Sequence, residues 1–134
     1  MPHPDGLPDL FLDRSLGRIA VPSLLRAAGL RLVTLAERYG LGPDEGVVDE
    51  VWLRDARANG EAVFLKDVRV RYNVAEKAAI TRSGARCFCI PRGDLTGSEM
   101  AERYLSNLDR IVEACSDPGP FVYSTQLGRI LRLL

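Results

Sequence analysis

The sequence predicts an α/β fold, with a mostly parallel central sheet covered by helices on both faces and a β-hairpin at the C-terminal end. Three observations carry this. Short apolar runs at residues 9–13, 31–35, 62–65 and 86–90 have the length and composition of buried strands. Segments with apolar residues at helical spacing separate these runs, and parallel neighbours in a sheet need such crossovers. Two further runs, at 121–125 and 129–133, flank a short turn that contains Gly128 and read as a hairpin.

The elements follow in order. After an irregular, proline-punctuated tail over residues 1–8, the first strand ends at Asp13. Val21, Leu24, Leu25 and Ala28 then keep helical spacing until Gly29 stops the helix. The second strand gives way to a loop rich in turn formers, Tyr39-Gly40-Leu41-Gly42-Pro43-Asp44-Glu45-Gly46. Val48, Val51, Trp52 and Ala56 mark a helix that ends near Asn59-Gly60, and the third strand leads to Asp67. Asn73 can cap the next helix, and Glu76, three residues on, can reach back to it. After the fourth strand, Thr96-Gly97-Ser98-Glu99 opens a long helix with one apolar stripe from Ala101 through Tyr104, Leu108 and Ile111 to Cys115. Asp117-Pro118-Gly119-Pro120 breaks it. No repeat or second domain is visible, so residues 1–134 read as one domain.

Composition narrows the function. No segment approaches the roughly 20 apolar residues of a membrane span, and the first residues lack the basic and apolar regions of a secretory signal, so a cytoplasmic protein without membrane contact is expected. Cys87, Cys89 and Cys115 are odd in number, and the first two share one side of a strand, so buried reduced thiols are expected. His3 is the only histidine, which argues against a zinc site and against histidine-based catalysis. The net charge is zero, which argues against a protein that coats nucleic acid through bulk charge alone. Charge is nonetheless segregated: residues 66–92 hold seven Lys or Arg against two acids, and residues 37–61 hold seven acids against three arginines.

Asp13 and Asp67 each sit where an apolar run turns polar, which places them beyond the carboxyl ends of parallel strands, where ligand chemistry collects. Carboxylates held close repel unless a cation lies between them, and hard oxygen ligands suit Mg²⁺ or Mn²⁺. An acidic pocket beside basic residues is the equipment of a metal-dependent phosphodiesterase, with Arg14, Lys66, Arg69 and Arg71 as candidates to grip a phosphodiester backbone. Arg69 and Arg71 read equally well as the solvent side of an irregular strand. Tyr72 is placed to stack on a base or to close a core edge, and Trp52 reads as core.

Asp13-Arg14-Ser15-Leu16-Gly17-Arg18, Val33-Thr34-Leu35-Ala36-Glu37-Arg38-Tyr39-Gly40, Asp49 with Trp52-Leu53, and Lys66-Asp67-Val68-Arg69-Val70-Arg71-Tyr72-Asn73 together resemble the small PIN-like branch of VapC-type toxins. The resemblance spans nearly the whole chain. It implies a PIN-like three-layer fold, Mg²⁺ or Mn²⁺ in an acidic pocket, endoribonuclease activity and inhibition by a cognate antitoxin protein of the helix-turn-helix type, with a homodimer suggested by analogy. It also implies that Asp13, Asp49 and Asp67 are the catalytic metal ligands, with Glu37 the nearest candidate for a further acid. Two other classes compete: a PIN-like module that binds RNA or protein without catalysis, and a phosphoacceptor receiver-like domain in which Asp67 would carry the phosphate.

Overall fold

A computed structural model of the 134-residue chain describes residues 3–40, 48–66, 73–91 and 93–134. Six strands form one sheet: β1 (Leu10–Leu12), β2 (Leu32–Thr34), β3 (Ala62–Lys66), β4 (Arg86–Ile90), β5 (Phe121–Gln126) and β6 (Arg129–Arg132). Their order is β2-β1-β3-β4-β5-β6, parallel throughout except for β6, which pairs antiparallel with β5. The helices are α1 (Ala20–Ala27), α2 (Leu35–Tyr39), α3 (Asp49–Ala58), α4 (Val74–Ser83), α5 (Gly97–Leu105) and α6 (Leu108–Ala114), with a 3₁₀ turn at Arg14–Leu16. The α/β class and the terminal hairpin are as the sequence predicts.

Strand alternation sorts side chains into two cores. Leu10, Leu12, Phe64, Phe88 and Phe121 face one way and pack with Val21 and Leu25 of α1, Met100, Ala101 and Tyr104 of α5, and Ile111 of α6. Phe11, Val63, Leu65, Cys87, Cys89 and Val122 face the other way, against Leu35 of α2, Trp52, Leu53 and Ala56 of α3, and Ala79 and Ile80 of α4. Each fully buried large apolar side chain contributes about 1.5–3 kcal/mol relative to exposure, so both layers are held by the same force. Aromatic contacts add direction: the Phe64 and Tyr104 rings stack 3.8 Å apart. At Gly97, a Cβ would lie 2.7 Å from that of Ala20, so glycine lets α5 approach α1. Cys87 and Cys89 are buried and all three thiols are free.

Two elements differ from the prediction. The long helix after Thr96 is two helices, because Ser106 and Asn107 turn their side chains back on the backbone: Ser106 Oγ donates to the Arg103 carbonyl at 3.2 Å and Asn107 Nδ2 to the same carbonyl at 2.7 Å. The second is α2, which begins directly after β2 where the sequence reading continued the strand through Leu35. Thr34 accepts from Glu37 N at 3.1 Å and Glu37 Oε1 accepts from Thr34 N at 2.9 Å, a reciprocal cap that starts the helix at once. Residues 3–9 have no regular element, yet Leu7 is buried and His3 Nδ1 accepts from Arg31 N at 2.9 Å. Among the described residues no helix is long and apolar enough to cross a membrane.

Three carboxyl groups give the fold an acid limit. Arg26, 2.6 Å away, holds Glu37 below its ordinary 4.5; the Gly119 backbone N–H and then Arg132 lower Asp117; and the Thr96 backbone N–H lowers Glu99. A depressed folded pKa adds stability that is complete above the unfolded carboxylate range and is lost as pH falls through the lowered folded values. The urea midpoint is therefore expected to hold from neutrality to about pH 5 and to drop below about pH 4. Glu37→Gln should lower the neutral-pH midpoint and flatten that acid limb.

Candidate active site

The strand order places a topological switch between β1 and β3: the chain leaves β1 for the edge strand β2 and returns on the other side of β1 as β3. In open parallel sheets the crevice at such a switch, outside the carboxyl ends of the strands, is where ligands bind. A cleft of about 270 Å³ opens there, bordered by Asp13, Arg14 and Ser15 after β1, Lys66 at the end of β3, and Asp49 and Glu76 in the first turns of α3 and α4. Its apolar wall includes Trp52, Leu53 and Leu65.

Asp13 is held from below. Its backbone N–H continues the sheet to Phe64 O at 3.0 Å, and its Oδ2 accepts from Ser15 N at 3.3 Å and Ser15 Oγ at 2.7 Å, capping the 3₁₀ turn. Ser15 Oγ in turn accepts from Lys66 N at 2.9 Å. One hydroxyl thus ties the end of β1 to the end of β3 and fixes the Asp13 rotamer between them. Asp49 opens α3, where the helix dipole favours an anion, and its Oδ1 accepts from the Trp52 indole N–H at 3.1 Å.

Of the acids named from sequence, Asp13 and Asp49 come together on this cleft, with the cations Arg14 and Lys66 beside them. Asp67, Arg69, Arg71 and Tyr72 lie outside the described residues. Glu37 does not border the cleft, and its carboxylate serves the Thr34 cap and the Arg26 ion pair. Two residues of the cleft escaped the sequence reading. For Ser15 the signal is the Asp-x-Ser spacing, which marks a local side-chain cap. Glu76 was assigned to capping alone; its backbone N–H does donate to Asn73 Oδ1 at 3.1 Å, while the residue also borders the cleft.

Among the described residues no three acidic, histidine or cysteine side chains are drawn close enough to hold an ion by themselves. The chemistry of the donor set still fits a hard divalent cation: Asp13, Asp49 and Glu76 offer carboxylate oxygens, and no histidine or cysteine borders the cleft. The Ser15 bridge makes a separable prediction. Ser15→Ala is expected to cost about 1 kcal/mol in urea denaturation. In a double-mutant cycle with Asp13→Ala, the part carried by the Asp13 bond should vanish, and the part carried by the Lys66 N–H, which loses its acceptor in either background, should remain.

The order β2-β1-β3-β4-β5 is shared with receiver-type sheets, so topology alone does not separate the classes. Comparison with known proteins does. Residues 8–92 match the family model described as PIN like domain. A Mycobacterium tuberculosis (strain ATCC 25618 / H37Rv) protein named "Putative ribonuclease VapC45" is 41% identical over 128 residues, covering 96% of this chain and 93% of that protein. No solved structure matches at comparable stringency. The matched residues include Asp13, Asp49 and Asp67 and span β1 to β4 with α1 to α4, the part of the fold that builds the cleft. The chain belongs to the PIN-like domain family, among proteins of the VapC type.

Proposed function

We propose that the protein is a divalent-metal-dependent endoribonuclease, the toxin of a type II toxin–antitoxin pair, whose Mg²⁺ or Mn²⁺ is held by Asp13, Asp49 and Asp67. The observation that carries this is the meeting of Asp13 and Asp49, from distant parts of the chain, with Lys66, the residue before Asp67, around one cleft at the β1/β3 switch. The relative named as a ribonuclease supports the RNA substrate.

When bound, the ion supplies a water acidic enough to act at neutral pH and a counter-charge for the phosphate oxygens. The protein's own groups do the rest. Ser15 keeps the Asp13 carboxylate in place. Lys66 and Arg14 hold phosphates at the mouth of the cleft, and Arg69 and Arg71 extend that grip along the backbone, fixing register without reading sequence. Glu76 supplies the further acid that Glu37, bound to Arg26, does not. No histidine or serine nucleophile is needed, in keeping with a lone His3 whose ring is bonded to Leu7 and Arg31. An antitoxin of the helix-turn-helix type and a homodimer complete the assembly in the cytoplasm. A small helix-turn-helix protein encoded in the adjacent reading frame is the expected companion.

The test is cleavage of total RNA by purified protein with Mg²⁺ or Mn²⁺, with chelator, and with chelator followed by excess metal. Cleavage should disappear with chelator and return with metal. Cleavage indifferent to chelator would refute the metal assignment. Binding of RNA without cleavage under any metal would instead favour the inactive PIN-like module.

A further inference from the structure

Trp52 is the chain's single tryptophan and is only 3% exposed, yet it borders the cleft. An indole N–H is a donor without acceptor capacity, and a buried one needs a partner. The partner here is the Asp49 carboxylate at 3.1 Å, one helical turn back on α3. The ring cannot turn freely to find another. It stacks on Phe11 with centroids 5.4 Å apart and planes 22° from parallel, and Phe11 sits two residues before Asp13 on β1, beneath the Arg38 guanidinium at 5.0 Å. Arg38 is itself fixed by Glu61 at 2.8 Å. One aromatic pair therefore joins the strand that delivers Asp13 to the helix that delivers Asp49. The neighbouring Glu50 pairs with Arg82, while the Asp49 carboxylate is held by the indole.

We propose that Trp52 is a positioning residue: its indole N–H, aimed by the Phe11 stack, occupies one oxygen of Asp49 and orients the carboxylate so that the other serves the divalent ion. The proposal rests on the metal reading above. Groups that orient a metal-binding side chain are worth about 10–100-fold in metal affinity when removed. A tryptophan satisfied by a convenient carboxylate for packing alone would carry no such effect. The same geometry makes Trp52 an internal reporter, since an ion bound at Asp49 lies one hydrogen bond from the fluorophore.

The experiment measures Mn²⁺ binding directly, by the electron paramagnetic resonance signal of free Mn²⁺, on wild type, Asp49→Asn, Trp52→Phe, and a protein carrying β-(3-benzothienyl)alanine at position 52. The last keeps the shape of the indole and replaces N–H with sulfur, so it reports on the hydrogen bond even where Trp52→Phe fails to fold. Both position-52 variants should bind Mn²⁺ about tenfold more weakly. Wild-type tryptophan fluorescence should be quenched by Mn²⁺ with the same midpoint. Wild-type affinity in the benzothienyl protein, together with weakened binding in Asp49→Asn, would overturn the positioning role and leave the metal reading standing. Absence of Mn²⁺ binding by wild type would overturn both.

Discussion

Asp13→Asn is expected to lower RNA cleavage on the order of a thousandfold at saturating Mg²⁺, the loss that follows from about 4 kcal/mol of missing transition-state stabilisation. The substitution is chosen because it removes charge and little else. An asparagine Oδ1 can still accept from Ser15 N and Ser15 Oγ, so the 3₁₀ turn and its link to Lys66 N should survive. Asp13 is half-buried and its backbone N–H remains in the sheet with Phe64 O, so the urea midpoint should move little. Cleavage and Mn²⁺ binding should fall together while the circular dichroism spectrum stays unchanged. Asp67→Asn should behave in the same way. If Asp13→Asn folds and cleaves RNA as wild type does, the ion is not held at the end of β1 and the assignment of the cleft is wrong.

How far the sequence could be read depended on which signals are local. Strand positions and the α/β class were legible because an apolar run such as Val63-Phe64-Leu65 has few other homes, and Asp13 and Asp49 were legible because each is tied to the end of one element. The short helix α2 is equally present in the letters, as Thr34-x-x-Glu37, but the apolar run that precedes it masks the capping pair and leaves Glu37 looking like a free acid. The break at Ser106-Asn107 was hidden by an apolar stripe that continues through it; period alone does not register side chains that bond backward to Arg103 O. Ser15 and Trp52 are legible only in part. Their bonds to Asp13 and Asp49 are local, but their contacts across the sheet, from Ser15 to Lys66 N and from Trp52 to Phe11, are encoded by no local pattern.

Tyr104→Ala is expected to destabilise the protein by about 4 kcal/mol, a large part of the 5–15 kcal/mol that holds a domain of this size. Tyr104 is fully buried on α5, and its ring lies flat on Phe64 at 3.8 Å and 3°. Its hydroxyl reaches past that ring to donate to Phe88 O at 2.9 Å and shares the proton with Leu65 O at 3.2 Å, so one side chain clamps β4 to β3 next to the residues that border the cleft. Truncation empties the ring's volume and leaves both carbonyls without the hydroxyl. Tyr104→Phe divides the two effects: the stack remains, and the lost hydrogen bond alone should cost about 1 kcal/mol. Burial raises the hydroxyl's pKa well above its ordinary 10.0, so it stays a neutral donor and the difference between the two variants should not vary with pH across the working range. Equal midpoints for Tyr104→Phe and Tyr104→Ala in urea would mean that the hydroxyl, and not the ring, carries the clamp. A Tyr104→Phe protein that keeps its midpoint but loses RNA cleavage would mean that the hydroxyl acts on the placement of Leu65 and Lys66 and not on stability.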